Sequence, residues 1–208
     1  MSVKGTTIKN KELVAKKEKQ IAITASEMFI KQGFHKTSVR EIAEAANLTI
    51  GNLYDYIRTK DDVLSLVFDE YYTYWSQALL EKSEILTISD PGEQLRAVIE
   101  RMLDVGHELR DMVILAYREL KSLRRNDLKD VLIQESKLVG FLEQVIRRGI
   151  ELGVFREVDA ALTANTIVFL VALDPLRGWN FMKNYNREQV KEFIIDMVFR
   201  SILKKQQS

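Results

Sequence analysis

Apolar residues return every three to four positions along nearly the whole chain, which is the spacing of helix faces, and nowhere alternate as a half-buried strand requires. Over 16–33 the repeats fall at Ile21, Ala25 and Phe29, with Ala22 and Met28 beside them. Gly33 is placed to end that helix in a left-handed conformation. Thr37 or Ser38 offers the next N-cap, and Glu41 sits where a capping box after Ser38 wants it. Val39, Ile42, Ala43 and Ala46 give a short second helix one apolar face. Asn47 interrupts it, and Asn tolerates positive φ better than most residues, so a tight turn is expected there. Thr49 caps a third short helix that runs to about Ile57, with Leu53 facing inward.

Thr59 and Asp61 open a long fourth helix, carried by Val63, Leu64, Val67, Phe68, Tyr71, Trp75 and Leu79 and expected to reach Leu86. The run ISDPGEQ (88–94) breaks the pattern: Ser89 or Asp90 caps, and Pro91 suits a first helical turn. Helices follow through Leu95, Val98, Ile99, Met102 and Leu103 and over 109–123; RRND (124–127) reads as a turn. A long amphipathic helix over 131–152 closes at Gly153. The stretch 160–173 is apolar nearly all round, which predicts burial on more than one side, and Asp174-Pro175 bends or ends it. A last stripe comprises Val190, Phe193, Ile194, Met197, Val198, Ser201 and Ile202. The fold class is all-α, with about nine helices and no internal repeat.

Composition narrows the chemistry. At 208 residues and 46% hydrophobic content the chain can bury one or two sizeable cores. It has no cysteine, which removes disulfides, thiolate metal sites and Cys nucleophiles and fits a cytoplasmic location. No stretch has the length of a membrane span and the first residues lack a signal-type apolar core, so no membrane partner is expected. Net charge is +1 but uneven: residues 1–60 carry +5 and the remainder −4. A basic first quarter favours an anionic partner at that end, although a solvated basic tail accounts for charge alone.

Two short helices meeting at a sharp turn, with a third before them, describe a helix-turn-helix. The small Ala43 permits close approach, Asn47 makes the corner and Leu53 packs the second helix on the first. The stretch TSVREIAEAANLTIGNLYDYIRTKDDVL (37–64) resembles the DNA-binding signature of the TetR family of bacterial repressors. Thr37, Ile42, Ala43, Ala46, Thr49, Gly51, Leu53, Tyr54, Tyr56, Lys60, Asp61 or Asp62, and Leu64 fit that signature, and AITASEMFIKQGFHKTS upstream looks like the family's first helix and turn. Asn47 stands for the usual Gly, Leu48 for Val and Ile57 for Phe. The match covers about 20–66. The resemblance implies a basic arm over 1–15, a helix-turn-helix domain over 16–62, and an effector-binding and dimerisation domain over 63–208.

A recognition helix meets the major groove with its first turn. Gly51 keeps one face low; Thr49, Ile50 and Asn52 project toward base edges or phosphates, Asn suiting adenine and Ile a thymine methyl. Tyr54, Tyr56 and Lys60 are candidates for phosphate contact, with Tyr54 alternatively filling the helix crossing. The helix start at Ser38, helped by Thr37, offers free N–H groups to a phosphate, and Arg40 and the basic run 9–19 add charge, the run being equally readable as a non-contacting arm. These ten DNA-site residues imply double-stranded operator DNA as partner.

Pairing of two copies is the usual remedy for a reading head that touches few base pairs. Thr166, Leu170, Val190, Phe193, Ile194, Met197, Val198 and Ile202 are the candidate homodimer surface, with monomer core as the competing assignment. The resemblance further implies a small-molecule effector in the body. Tyr74, Trp75, Met102, Tyr117, Phe141, Phe169 and Trp179 stand at inward-looking positions and suit an apolar, aromatic or acyl-chain effector, ordinary core being the alternative for each. Arg118, Glu119 and Arg177 lie near apolar runs and could orient a polar group. No cofactor or metal motif is visible: GxSxG and phosphate-cradling glycine loops are lacking, His35 falls in a turn, and His107 has only Glu108 and Asp111 nearby in sequence. The expectation is a ligand-responsive regulator of repressor type, not an enzyme. An activator, a regulator without effector, an all-α enzyme and a peripheral membrane protein are the rivals.

Overall fold

Helical spacing becomes eleven α-helices in the computed structural model, which describes the backbone of residues 4–81 and 84–204 and the side chains of 11–79 and 84–204. No β-strand occurs among the described residues; the one strand-like contact is an isolated bridge between Phe155 and Leu203. The chain divides into two compact units, residues 1–73 with 115–131, and residues 74–114 with 132–208.

The first unit begins with α1 (Lys4–Gln32), α2 (Val39–Ala45), α3 (Ile50–Tyr54) and α4 (Lys60–Ser76), α4 belonging to it up to Thr73. Gly33, at φ +92, ends α1 and donates to the Phe29 carbonyl. Asn47, at φ +54, makes the corner between α2 and α3. Phe29, Ile21, Ile42, Leu53 and Leu64 are fully enclosed, so α1, α2 and α3 are held by one core. Three boundaries differ from the sequence reading, one of them the end of α3, which stops at Tyr54 and not at Ile57. α1 begins at Lys4, twelve residues before the expected start, so the segment 4–15 is helical; its Lys, Glu, Leu and Ala residues are strong helix formers with no proline among them. The side chains of 1–10, including the first part of the basic run, lie outside the described residues. This unit also runs past residue 62 and takes in 115–131.

In the second unit a π turn (Gln77–Glu81) ends the run of α4, well short of a straight rod to Leu86, and α5 (Glu84–Thr87) follows. Asp90 caps α6 (Pro91–Glu108) and Pro91 opens it, as read. α7 (Arg110–Glu119) passes out of the second unit after Ile114, and the 3-10 turn (Leu120–Ser122) and the start of α8 (Arg125–Glu151), up to Val131, belong to the first. α8 starts inside the run read as a turn because Arg124 clamps Asp127 at 2.6 Å, and an acidic side chain in a first turn is favourable. Gly153, at φ +75, closes it. α9 (Ala160–Val171) and α10 (Leu173–Phe181) meet at a 51° bend. Pro175 cannot donate to the carbonyl of Val171, so the helix restarts and proline sits harmlessly in the first turn of α10. No single helix is long and apolar enough to cross a membrane.

α11 (Arg187–Ile202) and α9 both pack on α6. α9 is not buried all round: Ala160, Ala164, Ile167 and Val171 face the core, while Leu162 and Phe169 are 68% and 62% exposed. The C-terminal stripe also splits. Ile194, Val198 and Ile202 are buried with Ile195 and Phe199 in their own unit, whereas Phe193 and Met197 point outward.

Candidate functional site

The α2–α3 corner is built by short local rules. Ser38 accepts from the Glu41 N–H, and Glu41 returns its carboxylate to the Ser38 N–H at 2.7 Å, completing the capping box. The Ser38 hydroxyl, which donates to that carboxylate at 2.7 Å, and after it the Ser38 N–H hold Glu41 below the ordinary glutamate range. The Ser38 N–H expected to await a phosphate is therefore already occupied by a carboxylate. At the other end of α2, Gln20 donates from α1 to the Ala46 carbonyl at 2.9 Å, and Leu48 N–H reaches Ala43. Asn47 N–H bonds Glu44, so the carbonyls of Ala43, Glu44 and Ala46 at the end of α2 are used. Thr49 caps α3 by accepting from the Asn52 N–H at 3.1 Å.

With Leu53 and Ile57 buried beneath it, α3 turns Thr49, Ile50, Gly51, Asn52 and Tyr54 to the outside. Ile50 is 44% and Tyr54 52% exposed, so the Tyr54 ring does not fill the helix crossing. Tyr56 is half-buried. Gly51 is not demanded by its own chain: a Cβ there would meet only Thr49 Oγ1, at 3.9 Å. Arg40 is exposed and has no hydrogen bond or ion pair among the described residues. A polar amide, a branched apolar side chain, a phenol and a bare backbone position are therefore exposed on α3, and an unpaired cation is exposed on α2.

Two further candidates have internal duties. Thr37 is buried; its hydroxyl donates to the Gly33 carbonyl at 2.9 Å and accepts from Gln32, so it shapes the turn after α1. Lys60 donates to the carbonyls of Phe34 and His35 at 3.1 and 3.3 Å and lies 4.5 Å over the Phe34 ring, so its ammonium closes the same turn. Sequence reasoning missed this because a lysine on a helix start looks the same whether it faces solvent or a carbonyl pair 26 residues away. It also missed the clasp made by the later segment of the first unit. Arg118 donates to the Phe29 carbonyl at 3.0 Å and to the buried Glu119 at 2.8 Å, and Arg124 reaches Asp62 at 2.6 Å. Against a desolvation that would raise it, the N–H groups of Arg58 and Thr59 and the Arg124 guanidinium hold Asp62 below the ordinary aspartate range.

In the second unit the seven aromatic and Met candidates do not form one lining. Trp75 and Met102 are buried, Phe141 is half-buried and Tyr74, at 38% exposure, donates to Glu108 at 3.1 Å. Phe169 and Trp179 face outward, the latter beside the Arg177 guanidinium; Tyr117 is half exposed and belongs to the first unit. Helical spacing fixes which residues share a face but not which face turns inward, hence the four corrections, at Tyr74, Tyr117, Phe169 and Trp179. A cleft does open between α6, α10 and α11, lined by Leu103, His107, Met182 and Lys191 among others. None of the seven candidates contributes to it. Of the candidate dimer residues, Phe193, Met197 and Thr166 are exposed, Val190 and Leu170 half-buried, and Ile194, Val198 and Ile202 buried in their own unit. His107 pairs with Asp174 at 2.8 Å, not with its sequence neighbours, and no cluster among the described residues could hold a metal ion.

A profile of bacterial regulatory proteins of the tetR family matches residues 22–67, and one of the tetracyclin repressor-like C-terminal domain matches 89–202. The HTH-type transcriptional regulator HbdR of Aromatoleum sp. (strain CIB) is 30% identical over 200 residues, covering 95% of this chain and 85% of that protein. The fatty acid metabolism regulator protein of Bacillus subtilis (strain 168) is 24% identical over 163 residues, covering 77% and 81%. In fold, AibR in complex with isovaleryl coenzyme A and operator DNA superposes with a TM-score of 0.74, at 24% identity over 88% of this chain and 98% of that one. FadR from Bacillus subtilis in complex with stearoyl-CoA gives 0.71, at 21% identity over 86% and 96%.

Proposed function

This chain belongs to the TetR family of bacterial regulatory proteins, and on that premise we propose that it represses transcription as a homodimer on a palindromic operator, releasing it to an acyl thioester. The outward face of α3 carries the DNA-reading half. Its first turn presents Ile50, the bare Gly51 and Asn52 on a frame whose own bonds are complete, which is what close backbone approach to a major groove requires. Arg40 stands ready for a phosphate. Lys60, Thr37 and the Ser38–Glu41 box hold the frame.

The effector half rests on the relatives. Two proteins of the same fold are described with coenzyme A thioesters, one isovaleryl and one stearoyl, and a similar sequence is named for fatty acid metabolism. The outward apolar residues Leu162 and Phe169 on α9 and Phe193 and Met197 on α11 support pairing of two copies there. A DNA-bound regulator of this kind works in the cytoplasm.

A thioester that prefers the released arrangement shifts the population away from DNA by its differential affinity. The test is a fluorescence-anisotropy titration of the operator complex with thioesters of two to eighteen carbons. One chain-length window should release the operator at concentrations where free coenzyme A does not; an operator complex indifferent to every thioester rejects the effector half.

A further inference from the structure

Beside the reading face of α3, the first unit carries a stretch of helix that its own fold does not use. All six side chains over 11–16 are exposed, and the first enclosed residue of α1 among the described ones is Ile21. Because α1 starts at Lys4, about 25 Å of helix, at a rise of about 1.5 Å per residue, precedes that anchor. The contacts around the anchor fix where the stretch goes. Gln20 donates to the Ala46 carbonyl at 2.9 Å, at the end of α2, and accepts from Lys17 at 3.0 Å. Lys19 pairs with Glu70 of α4 at 2.6 Å. α1 leads through Gly33 and Ser38 into α2, and α2 returns along it until its end meets Gln20. The rest of α1 therefore runs on past the Asn47 corner, at the end of the unit where Thr49 and Ile50 open α3.

Charge selects the partner. Residues 4–16 hold four lysines, Lys4, Lys9, Lys11 and Lys16, against one glutamate, Glu12, a net of +3. Taking in Lys17, Glu18 and Lys19 together with Glu70, the partner of Lys19, leaves that net unchanged. The corner elements over 34–60 carry four Lys and Arg against three carboxylates, so they do not cancel it. Lys11 and Lys16 are exposed and make no hydrogen bond or ion pair among the described residues. The larger apolar residues of the stretch, Ile8, Leu13 and Val14, are spaced five and one apart and form no helical stripe, which disfavours a membrane face or a partner helix. A helix about 10–12 Å across is also too wide for a minor groove of about 6 Å. What it can meet is the ridge of phosphates beside a groove, where lysine acts as a point charge on a flexible stem.

We propose that the exposed first half of α1 is a second DNA-contacting surface, which sets Lys11 and Lys16 against the phosphates next to the bases read by α3. The proposal rests on α3 as the reader assigned above, and it adds affinity without sequence preference. Each phosphate neutralised in this way contributes about 0.9 to the slope of log affinity on log salt concentration.

The test is fluorescence anisotropy of the full-length protein across salt concentrations, on a duplex carrying the selected operator with its flanks and on a duplex of unrelated sequence. The pair Lys11→Gln and Lys16→Gln should bind both about tenfold or more weakly near physiological salt and reduce the slope by about two. Glutamine is as good a helix former as lysine, so α1 stays intact. Base preference should remain that of wild type. Glu12→Gln, which removes the carboxylate between the two lysines, should bind both duplexes more tightly. The control pair Lys137→Gln and Lys183→Gln takes the same charge from exposed positions of the second unit and should match wild type. Wild-type affinity and slope in the α1 pair, an equal loss in the control pair, altered base preference, or weaker binding by Glu12→Gln would overturn the surface. The two duplexes keep the readings apart. If selection yields no operator, reading by α3 fails, while the slope on unrelated DNA still judges α1; an operator bound normally by the α1 pair removes this surface alone.

Discussion

Gly51 separates a structural from a DNA-reading role more cleanly than any other position on α3. Alanine there adds one methyl group whose nearest neighbour would be Thr49 Oγ1 at 3.9 Å, an ordinary contact. Gly51 has no positive φ, so its backbone is one that alanine adopts freely. Replacing glycine by alanine inside a helix gains about 0.5–1 kcal/mol, through the lower entropy of the unfolded chain. For a chain of this size that raises the melting temperature by about 1–4 °C. On DNA the sign reverses. A methyl group on the face that approaches the groove holds the backbone off and strains the Ile50 and Asn52 contacts on either side. Losing one such contact costs about 1–3 kcal/mol, or roughly five- to 150-fold in operator affinity. Thermal melting and fluorescence anisotropy on the same preparation read both numbers. A variant that melts higher and binds worse is the expected result. Unchanged operator affinity would refute groove approach at Gly51, and weaker binding with a lower melting temperature would mean simple damage to the fold.

The other expectations divide by surface. Asn52→Ala should relax base preference at one or two positions in each half-site, whereas Arg40→Ala should weaken all duplexes alike and lower the salt slope by about one, as competition binding across salt concentrations would show. Phe193→Arg, at a position 64% exposed, should leave a folded protein whose dimer dissociates at least tenfold more readily by sedimentation, while arginine at the neighbouring, buried Ile194 should unfold it. Asp62 contributes stability that is fully present above the ordinary aspartate value of 3.8 and is lost as pH falls through its lower folded value. Asp62→Asn should therefore lower stability at pH 7 by about 1 kcal/mol or less, solvent screening the partly exposed Arg124 pair, and denaturant melts should show that gap closing as acid protonates the wild-type carboxylate.

The reading head was legible because its rules are local. Ser38 and Glu41 three apart, Asn47 after an apolar face and Thr49 before Leu53 each dictate geometry within one turn of chain, and each appears as read. Lys60, Thr37 and Arg118 were less legible because their bonds go to backbone carbonyls, which no residue type announces. In the body, spacing defined the stripes of α9 and α11 but could not say that Ile194 and Val198 belong to the monomer while Phe193 and Met197 face out. Adjacent residues on a helix lie about 100° apart, so one step along a stripe crosses from core to surface. His107 and Asp174, which pair at 2.8 Å, come from two helices and stand 67 residues apart, and only tertiary packing joins them.

Selection of bound sequences from a pool of random duplexes tests the head most directly, since it asks for no assumed operator. The exposed Ile50–Asn52 turn, presented twice by a symmetric pair, should enrich an inverted repeat with half-site centres about one helical turn, or a multiple, apart. A pool that emerges without any enriched sequence, bound only through a salt-sensitive attraction common to all duplexes, would contradict α3 as a reader of DNA.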